Sequence, residues 1–411
     1  MPEQNLVVVG ASLAGLRAAE TARRAGFTGT VTLVGAEPHL PYDRPPLSKA
    51  YLDPAPTPPD TTFRAREVFG DAGIDLRLGT VATRLDPAHK AIHTSQGALP
   101  YDLAVIATGS TARRLPGATG LAGVETLRTL DDAVAVRAAL DNRAKTVVVG
   151  AGFIGSEVAS GARKRGLDVT VLEALPVPLV RAIGAEMGQA CAELHRRNGT
   201  DLRCGVGVEA VLGDGRVEAV QLSDGSTVEA DLVVVGIGAD PATDWLISSG
   251  ITLDRGIVCD ENLATSLPGV YAAGDVARWH NPLFDTAMRL EHWTSAAEQA
   301  ASAVRNALDP MTAKPYSTVP YFWSDWYDTR IQFVGIPDAD EILTVTGDLG
   351  SESFVALYRR GDRVVGALAL NHQTHIMKYR AQIAKGASWE QALDYARIRG
   401  AKDAALSPTV R

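Results

Sequence analysis

The sequence GAGFIG at residues 150–155 is the strongest indication of the fold, because it follows a β-branched run and precedes an alanine-rich helical segment. In such a GxGxxG turn Gly150 permits a tight bend, Gly152 lets a pyrophosphate approach the backbone, and Gly155 lets the helix pack closely. The phosphate charge then lies at the helix N-terminus. Glu173 ends the next β run, where a carboxylate accepts hydrogen bonds from a ribose. The stretch therefore predicts a strand-loop-helix-strand unit that binds a dinucleotide.

A second stretch of this type, GASLAG at residues 10–15, lies 140 residues earlier and is followed by Glu37. Ser12 replaces the middle glycine of the motif. Its side chain leaves a phosphate less room to approach the backbone, although its hydroxyl could hydrogen-bond the phosphate. One such loop is a weak signal, because glycine also marks ordinary turns. Two loops in the same context indicate an internal duplication and two dinucleotide sites. We therefore expect a permanently held FAD and an exchanging NAD.

The preference for NAD over NADP is predicted from Glu173. A carboxylate at this position repels the 2′-phosphate of NADP, and residues 174–176 supply no arginine to bind one.

Short apolar runs bounded by glycine predict strands that are buried on both faces of a parallel sheet. They occupy residues 6–9, 103–107, 146–149 and 232–235. Helical segments at 14–24 and 154–165 lead to further strands at 30–34 and 168–172, which completes two βαβ units.

The last ninety or so residues have a different pattern. From Pro320 short β runs follow one another, and the runs 354–358 and 364–370 flank a turn and predict a hairpin. Ser388 and Gln391 have the spacing of a capping box, which predicts a helix near the end.

We therefore predict an α/β fold with two Rossmann-like dinucleotide-binding domains and a C-terminal α+β domain. The predicted boundaries are 1–112 and 241–318 for a discontinuous FAD-binding domain, 113–240 for the NAD-binding domain, and 319–411 for the C-terminal domain.

Composition excludes several classes of protein. The 411 residues fit two or three domains of about 150 residues each. With 21% charged and 46% hydrophobic residues, and no apolar stretch near the roughly 18 residues of a membrane span, we expect a soluble protein with no membrane partner. Acidic residues outnumber basic ones 48 to 40, which argues against a nucleic-acid-binding surface.

The three cysteines, Cys191, Cys204 and Cys259, lie far apart without a CxxC motif, which suggests neither a disulfide scaffold nor a zinc knuckle. A reducing, cytoplasmic location fits this usage. Residues 1–5 lack the basic region of a signal peptide, so we expect none.

Two further strand ends support a flavin. Thr108 and Gly109 close one β run, and Gly274 and Asp275 close another far downstream. An aspartate beside a backbone glycine suits the hydroxyls of a ribityl chain, which favour a charged acceptor. Asp275 could equally cap the next helix, and both roles are compatible.

The chain resembles the FAD-containing, NADH-dependent ferredoxin reductases that serve haem-thiolate monooxygenases and Rieske dioxygenases, within the glutathione-reductase-like flavoprotein fold. The resemblance extends from the first strand to about residue 335. The motifs that carry it are the two glycine loops with Glu157, PYDRPPLSK at 41–49, ATG at 107–109, GDV at 274–276, EHW at 291–293 and YFWSD at 321–325.

The resemblance implies the residues of both cofactor sites. For FAD they are Gly10, Ser12, Ala14, Gly15, Glu37, Arg44, Lys49, Val81, Thr108, Gly109, Arg128, Gly274, Asp275, Glu291, His292 and Trp293. For NAD they are Gly150, Gly152, Phe153, Ile154, Gly155, Glu173 and Gly238.

Lys49 and Glu157 resemble the ion pair that this family places beside the flavin, and we take them as the catalytic residues. Related flavin disulfide reductases carry redox-active thiols near the first βαβ unit, whereas residues 41–49 here contain none. We therefore expect direct hydride transfer from NADH to the flavin, with electrons then passed singly to an iron-sulfur protein. An ammonium near the flavin favours that hydride transfer, and Glu157 would hold it in place.

The remaining candidates have weaker support. His372 and His375 have a spacing that suits a metal, but no third ligand is nearby, so we expect no metal site. Trp323 and Trp326 could cover the flavin, or they could be ordinary core residues, and Trp326 stands where relatives often carry glutamine.

We expect a transient, electrostatically assisted [2Fe-2S] ferredoxin partner. Residues 376–411 carry a net charge of +4 in a chain of net charge −8, which would attract an acidic ferredoxin, although solvated helix faces explain these charges equally well. Two alternatives remain open, an NADH oxidase that reduces oxygen and a redox sensor resembling apoptosis-inducing factor.

Overall fold

A computed structural model describes residues 4–118 and 120–406 of the chain. Its first parallel sheet has, in spatial order, the strands Val270–Ala272, Leu103–Ile106, Asn5–Val9, Thr30–Val34 and Ile74–Arg77. All neighbouring strands in it are parallel. In the middle strand Val8 is fully buried and lies opposite Leu33 on one side and Val105 on the other. Burial on both faces explains why the strands of this sheet are continuous apolar runs.

The second parallel sheet repeats this plan. Its strands, in spatial order, are Asp201–Cys204, Val169–Glu173, Thr146–Val149, Leu232–Val235 and Val124–Thr126. The middle strand is buried throughout, with Val148 opposite Val171 and Val234. The predicted internal duplication is therefore present as two all-parallel, five-stranded sheets.

The helices include the two that the sequence predicts after the glycine loops and the one predicted near the end. They are α1 Leu13–Arg24, α2 Arg66–Asp71, α3 Leu130–Asp141, α4 Phe153–Lys164, α5 Val180–Ile183, α6 Ala185–Arg197, α7 Trp293–Leu308, α8 Gln373–Ala384 and α9 Trp389–Leu406. Short 3-10 turns occupy Pro45–Ser48, Ala50–Leu52, Asp244–Leu246 and Pro310–Thr312. None of the helices in the described part of the chain combines the length and the hydropathy that a membrane span requires.

A five-stranded antiparallel sheet, the C-terminal sheet, follows residue 320. Its strands, in spatial order, are Tyr321–Trp326, Thr329–Gly335, Arg363–Leu370, Phe354–Arg360 and Glu341–Gly347. Trp326, Phe333 and Tyr358 of this sheet share a buried core with Met187 and Leu194 of α6. The predicted hairpin is confirmed, with its turn at Gly361 and Asp362.

Smaller antiparallel sheets complete the fold. The strands of the first are Ala82–Asp86, Ala91–Thr94 and Gly97–Pro100, and those of the second are Val208–Leu212, Ala219–Leu222 and Thr227–Glu229. In the third, Ala277–Asn281 pairs antiparallel with Thr286–Met288 and parallel with Ile257–Cys259. Ser110–Ala112 pairs with Ala239–Pro241.

The capping box predicted near the end of the chain is confirmed. The backbone N–H of Ser388 donates to Gln391 Oε1 at 2.9 Å, and the N–H of Gln391 donates to Ser388 Oγ at 3.3 Å. Two of the donors at the start of α9 are thus satisfied reciprocally.

The chain divides into two compact units. The first comprises the residues up to Pro45, Asp60–Thr111 and Ala239–Thr318, and the second comprises Pro46–Pro59, Ala112–Gly238 and the residues from Val319 onward. The predicted α/β fold class is confirmed, whereas the three predicted domain boundaries stay a prediction. The expectation about a signal peptide and part of the C-terminal charge count concern residues 1–3 and 407–411, which lie outside the described residues.

The third glycine of each loop sits where no side chain fits. A Cβ on Gly155 would lie 2.1 Å from the carbonyl oxygen of Gly150, and one on Gly15 would lie 1.7 Å from that of Gly10. Because the obstructing atom is backbone in both loops, the helix approaches its preceding strand only with glycine at these positions.

Replacing Gly155 with alanine should therefore destabilise the second unit. We expect Gly155→Ala to lower the free energy of unfolding by roughly 1–3 kcal/mol, measured by urea denaturation, because the loop must shift to admit the methyl group. The control is Gly70→Ala in α2, where a Cβ meets no atom within 4 Å. An equal loss of stability in both variants would contradict the packing argument.

Candidate functional site

Both glycine loops leave the first turn of their helices open to an anion. The N-cap residue of α1 is Ser12, whose side chain accepts no hydrogen bond from the helix, and the N-cap residue of α4 is Gly152, which has no side chain to accept one. In contrast, α3 begins with a complete capping box between Thr129 and Asp132. The unused N–H groups, together with the helix dipole, favour negative charge at these two helix starts.

The second loop leaves open space beside Gly152, where the sequence predicts a pyrophosphate. A Cβ on Gly152 would have only one neighbour within 4 Å, the carbonyl oxygen of Gly236 at 3.9 Å. The glycine is therefore not required by the packing of the protein, and the space its missing side chain leaves remains open. This is the open position that the sequence predicts for backbone contact with a phosphate.

Glu173 is fixed beside the second loop by two backbone donors. Its Oε2 accepts a hydrogen bond from the N–H of Ala151 at 2.8 Å, and its Oε1 accepts one from the N–H of Leu175 at 2.9 Å. A carboxylate has about four acceptor positions, so both oxygens retain capacity for ribose hydroxyls. Gly238 follows the neighbouring strand with φ +108°, and its carbonyl accepts from the N–H of Arg113.

At the first loop, Arg44 contacts two other residues that are predicted to bind FAD. Its Nε donates to Ser12 Oγ at 3.1 Å, and its Nη2 forms an ion pair with Glu37 Oε1 at 2.6 Å. The hydroxyl of Tyr42 donates to the other carboxylate oxygen of Glu37 at 2.5 Å. The serine that replaces the middle glycine is thus held by an arginine, and the cluster presents a cation beside the open start of α1.

Asp275 lies at the same edge of the first parallel sheet. A Cβ on Gly274 would lie 3.2 Å from the Cβ of Ala14, which places this strand end against the first turn of α1. Asp275 accepts a hydrogen bond from Ser110 Oγ at 3.1 Å, and the N–H of Gly274 donates to Gln299 at 2.8 Å. The parallel pairing of strands Val270–Ala272 and Leu103–Ile106 brings these distant residues together.

The triplet at 291–293 adjoins the start of α7. Trp293 Nε1 donates to Asp43 Oδ1 at 2.7 Å, which links this helix to the PYDRPPLSK motif. Burial lowers the pKa of His292 to about 4, although the carboxylate of Asp275 acts in the opposite direction. His292 is therefore neutral at pH 7. Glu291 pairs with Arg289 at 2.8 Å.

The other residues predicted to contact FAD or NAD do not form one cluster with those described above. Thr108 Oγ1 donates to the carbonyl of Ala242 at 2.9 Å, and Gly109 beside it has φ +69°. Val81 is 47% exposed in the first unit. Arg128 belongs to the second unit, and its backbone N–H donates to the carboxylate of Asp132 at the start of α3. Ile154 is exposed, and Phe153 packs against Phe322 with ring centroids 4.6 Å apart.

Lys49 and Glu157 form a buried ion pair within the second unit. Lys49 Nζ lies 2.8 Å from Oε1 and 2.9 Å from Oε2 of Glu157. The carboxylate side chain is 1% exposed and the lysine side chain 18%. Burying one such charge without its partner costs several kcal/mol, so each residue requires the other.

Glu157 has three further donors that the sequence did not predict. The hydroxyls of Ser48 and Ser324 donate to its two oxygens, one to each, and the N–H of Asp325 lies 3.4 Å from Oε1. Both serines stand inside motifs that carried the resemblance, beside Lys49 and within YFWSD. Their positions were visible in the sequence, but nothing there showed that they meet at one carboxylate.

Two arginine side chains of low exposure, those of Arg137 and Arg165, contact the main chain that follows Lys49. Arg137 donates to the carbonyls of Tyr51 at 2.5 Å and Asp53 at 3.0 Å, and also to that of Ala55. Arg165 donates to the carbonyl of Leu52. We call this set of contacts the carbonyl clamp. No sequence signal identifies it, because arginines on helices are usually solvent-exposed.

The histidine pair at 372 and 375 does not belong to a group of three or more potential metal ligands, and no such group occurs among the described residues. The two rings lie 5.0 Å apart, and Arg399 Nη2 lies 3.3 Å from His375 Nε2. A guanidinium at that nitrogen is a donor and a positive charge, which disfavours a cation.

His195 is a further buried group that the sequence did not single out. Its Nε2 lies 3.1 Å from Ser156 Oγ, its Nδ1 lies 2.7 Å from the hydroxyl of Tyr327, and its ring is 4.9 Å from that of Trp326. Burial, with a smaller contribution from Arg196, lowers the pKa of His195 to about 4.

This histidine should make the second unit sensitive to acid. Between about pH 6.5 and pH 4 the unfolded imidazole binds a proton and the folded one does not, so stability decreases as the pH falls. We expect His195→Asn to remove roughly 2–3 kcal/mol of that decrease, measured by urea denaturation at pH 7 and about pH 4.5. Parallel losses in the wild type and the variant would show that His195 is not buried in its neutral form.

Comparison with known proteins identifies the family. The model of the pyridine nucleotide-disulphide oxidoreductases matches residues 4–300, and the reductase C-terminal model matches residues 321–396. The chain is 38% identical over 392 residues to the 5,5′-dehydrodivanillate O-demethylase ferredoxin reductase subunit of a Sphingobium species, which covers 94% of both chains. It is also 38% identical over 373 residues to a ferredoxin–NAD(P)+ reductase from a Sphingomonas species, which covers 89% of both chains.

A solved structure has the same fold. The covalent complex of putidaredoxin reductase with putidaredoxin contains a chain that matches with a TM-score of 0.89 and 34% identity, over 93% of both chains. A solved relative thus shares the fold of this chain over nearly its whole length. The chain belongs to the pyridine nucleotide-disulphide oxidoreductase family and carries the reductase C-terminal domain.

Proposed function

We propose that this protein is an NADH-dependent ferredoxin reductase that uses FAD. The observation that carries the proposal is the presence of two uncapped glycine loops, each at the carboxyl edge of its own parallel sheet, because each loop serves one dinucleotide. FAD supplies the chemistry when bound, since a flavin accepts a hydride and releases electrons one at a time.

The state of the thiols indicates that electrons pass from the flavin directly to the acceptor. All three cysteines are free. Burial raises the pKa of Cys191 and of Cys259 to about 12, and it also raises that of Cys204. Such thiols are poor nucleophiles, because the reactive form is the thiolate. This chain therefore lacks the redox-active pair that the family name describes.

The first unit provides most of the residues that we propose for FAD. Ser12 and the first turn of α1 would hold the pyrophosphate, Glu37 and Arg44 the adenosine, and Asp275 the ribityl chain. The remaining proposed contacts are Gly10, Ala14, Gly15, Lys49, Val81, Thr108, Gly109, Arg128, Gly274, Glu291, His292 and Trp293.

The second unit provides the residues that we propose for NADH. The open position at Gly152 would admit the pyrophosphate, and Glu173 would accept hydrogen bonds from the adenosine ribose and repel a 2′-phosphate. Gly150, Phe153, Ile154, Gly155 and Gly238 complete the proposed contacts.

Lys49 is the residue to which we assign the electrostatic part of the reaction. Its ammonium is held on both carboxylate oxygens of Glu157, so its position is fixed before the reaction begins. A fixed positive charge near the accepting atom stabilises the transition state of hydride transfer more than a solvated one. No general acid or base is required, so the buried histidines have no catalytic role in this proposal.

The proposed electron acceptor is a [2Fe-2S] ferredoxin that feeds a haem-thiolate monooxygenase or a Rieske dioxygenase. Relatives at 38% identity are named as ferredoxin reductases, and the matching solved structure is a complex with putidaredoxin. The net positive charge of residues 376–411 would attract an acidic partner. A cytoplasmic location belongs to the proposal and is supported by the free thiols.

An anaerobic titration of the purified yellow protein tests the function. We expect NADH to reduce the flavin and cytochrome c reduction to depend on an added [2Fe-2S] ferredoxin. Rapid oxygen consumption without any carrier would instead indicate an NADH oxidase. A long-lived reduced complex with negligible ferredoxin reduction would indicate a redox sensor.

Substituting Lys49 with methionine should slow hydride transfer. We expect Lys49→Met to lower the rate constant of flavin reduction at saturating NADH by about tenfold to a hundredfold, measured by stopped flow, because the fixed charge is lost. The control is Lys145→Met, which removes an exposed lysine that pairs with Glu229 at 2.6 Å. An unchanged rate in Lys49→Met would remove Lys49 from the mechanism.

Substituting Gly152 with alanine should weaken NADH binding without weakening the fold. The new Cβ meets no protein atom closer than 3.9 Å, so the melting temperature and FAD content should stay unchanged. The methyl group would occupy the space proposed for the pyrophosphate, and we expect the dissociation constant of NADH to rise about tenfold. Unaltered NADH affinity would place the pyrophosphate elsewhere.

A further inference from the structure

Ser324 of the C-terminal sheet touches the buried carboxylate of Glu157. Its hydroxyl donates to Oε1, the oxygen that also lies 2.8 Å from Lys49 Nζ. The serine is completely buried, so water does not compete for that oxygen. A residue from the last part of the chain therefore helps to define the position of the ion pair.

The direction of these hydrogen bonds is fixed by chemistry. Trp326 Nε1 lies 2.9 Å from Ser324 Oγ, and an indole nitrogen only donates. An ionised carboxylate only accepts. The single hydroxyl proton of Ser324 must therefore point to Glu157, while its oxygen accepts from Trp326. Hydrogen bonds arranged in such a chain strengthen one another.

The indole of Trp326 is itself held in place. Ser324 and Trp326 are two residues apart on one strand and so lie on the same face of the C-terminal sheet. Trp326 is completely buried and packs against the ring of His195. The adjoining turn is tied to α4, because the N–H of Tyr327 donates to Ser160 Oγ at 3.0 Å.

We propose that Ser324 is a positioning residue, which, supported by Trp326, holds the carboxylate of Glu157 and through it the ammonium of Lys49 in the orientation that hydride transfer requires. The inference rests on the proposed function for the role of Lys49. It adds that the C-terminal sheet contributes directly to the rate of flavin reduction.

The first test compares variants of Ser324 in the FAD-bound protein. Ser324→Ala removes the donor, leaves the indole N–H unsatisfied, and lets the 18% exposed lysine side chain move toward solvent. We expect the rate constant of flavin reduction at saturating NADH to fall about tenfold, with the dissociation constant of NADH unchanged. Ser324→Thr retains the hydroxyl and should restore most of the rate.

The control removes a comparable hydroxyl elsewhere. Ser249 is 5% exposed, and its Oγ donates to the carbonyl of Leu246 at 2.6 Å in the first unit. Ser249→Ala should leave the reduction rate unchanged. Trp326→Phe, which removes the indole N–H and keeps an aromatic ring, should lower the rate less than Ser324→Ala. Its control is Trp279→Phe, because Trp279 is equally buried and donates to the carbonyl of Tyr316.

The decisive measurement places Ser324→Ala in the Lys49→Met background. If Ser324 acts through Lys49, the second substitution adds no further decrease in rate, whereas a general structural defect would lower both backgrounds equally. Equal decreases, or a normal rate in Ser324→Ala, would overturn the proposal. Those results leave the proposed function intact, which fails only if NADH does not reduce the wild-type flavin or the reduced flavin does not serve a ferredoxin.

Discussion

The buried carboxylate of Glu157 dictates how several elements of the second unit must meet. An ionised group that is 2% exposed needs a counter-charge and donors on both oxygens, and Glu157 obtains them from two distant parts of the sequence. Lys49 and Ser48 come from the segment after Pro45, Glu157 from α4, and Ser324 from the C-terminal sheet. Any one of these elements folded differently would leave a charge or a polar group unsatisfied in the interior.

The parallel sheets impose a second requirement, which explains how much the sequence could predict. Strands buried on both faces are continuous apolar runs, and a helix that packs closely on such a strand requires glycine at its first turn. Both features are local, so the strands Thr30–Val34, Thr146–Val149 and Leu232–Val235 were predicted with their observed boundaries. The strand Val124–Thr126 was missed, because it is three residues long and only half-buried.

The residues that complete the ion pair could not be predicted in the same way. A serine at position 324 is unremarkable in a sequence, and its importance arises only because the turn between the first two C-terminal strands lies against α4. His195 and Arg137 are similar, since helix periodicity does not distinguish a buried polar side chain that finds its partners from an exposed one. Lys49 and Glu157 were predicted only because the motifs around them resemble a known family, whereas spacing alone does not pair residues 108 positions apart.

The carbonyl clamp has a consequence for how this segment can vary during evolution. Arg137 and Arg165 donate hydrogen bonds to the main-chain carbonyl oxygens of residues 51–53 and 55. Every amino acid supplies such an oxygen in the same form. Substitutions among these side chains therefore leave the anchorage unchanged, provided that the backbone keeps its path. Adding or removing a single residue would put every oxygen out of register with its arginine. The segment should thus accept exchanges of residue type freely while conserving its length.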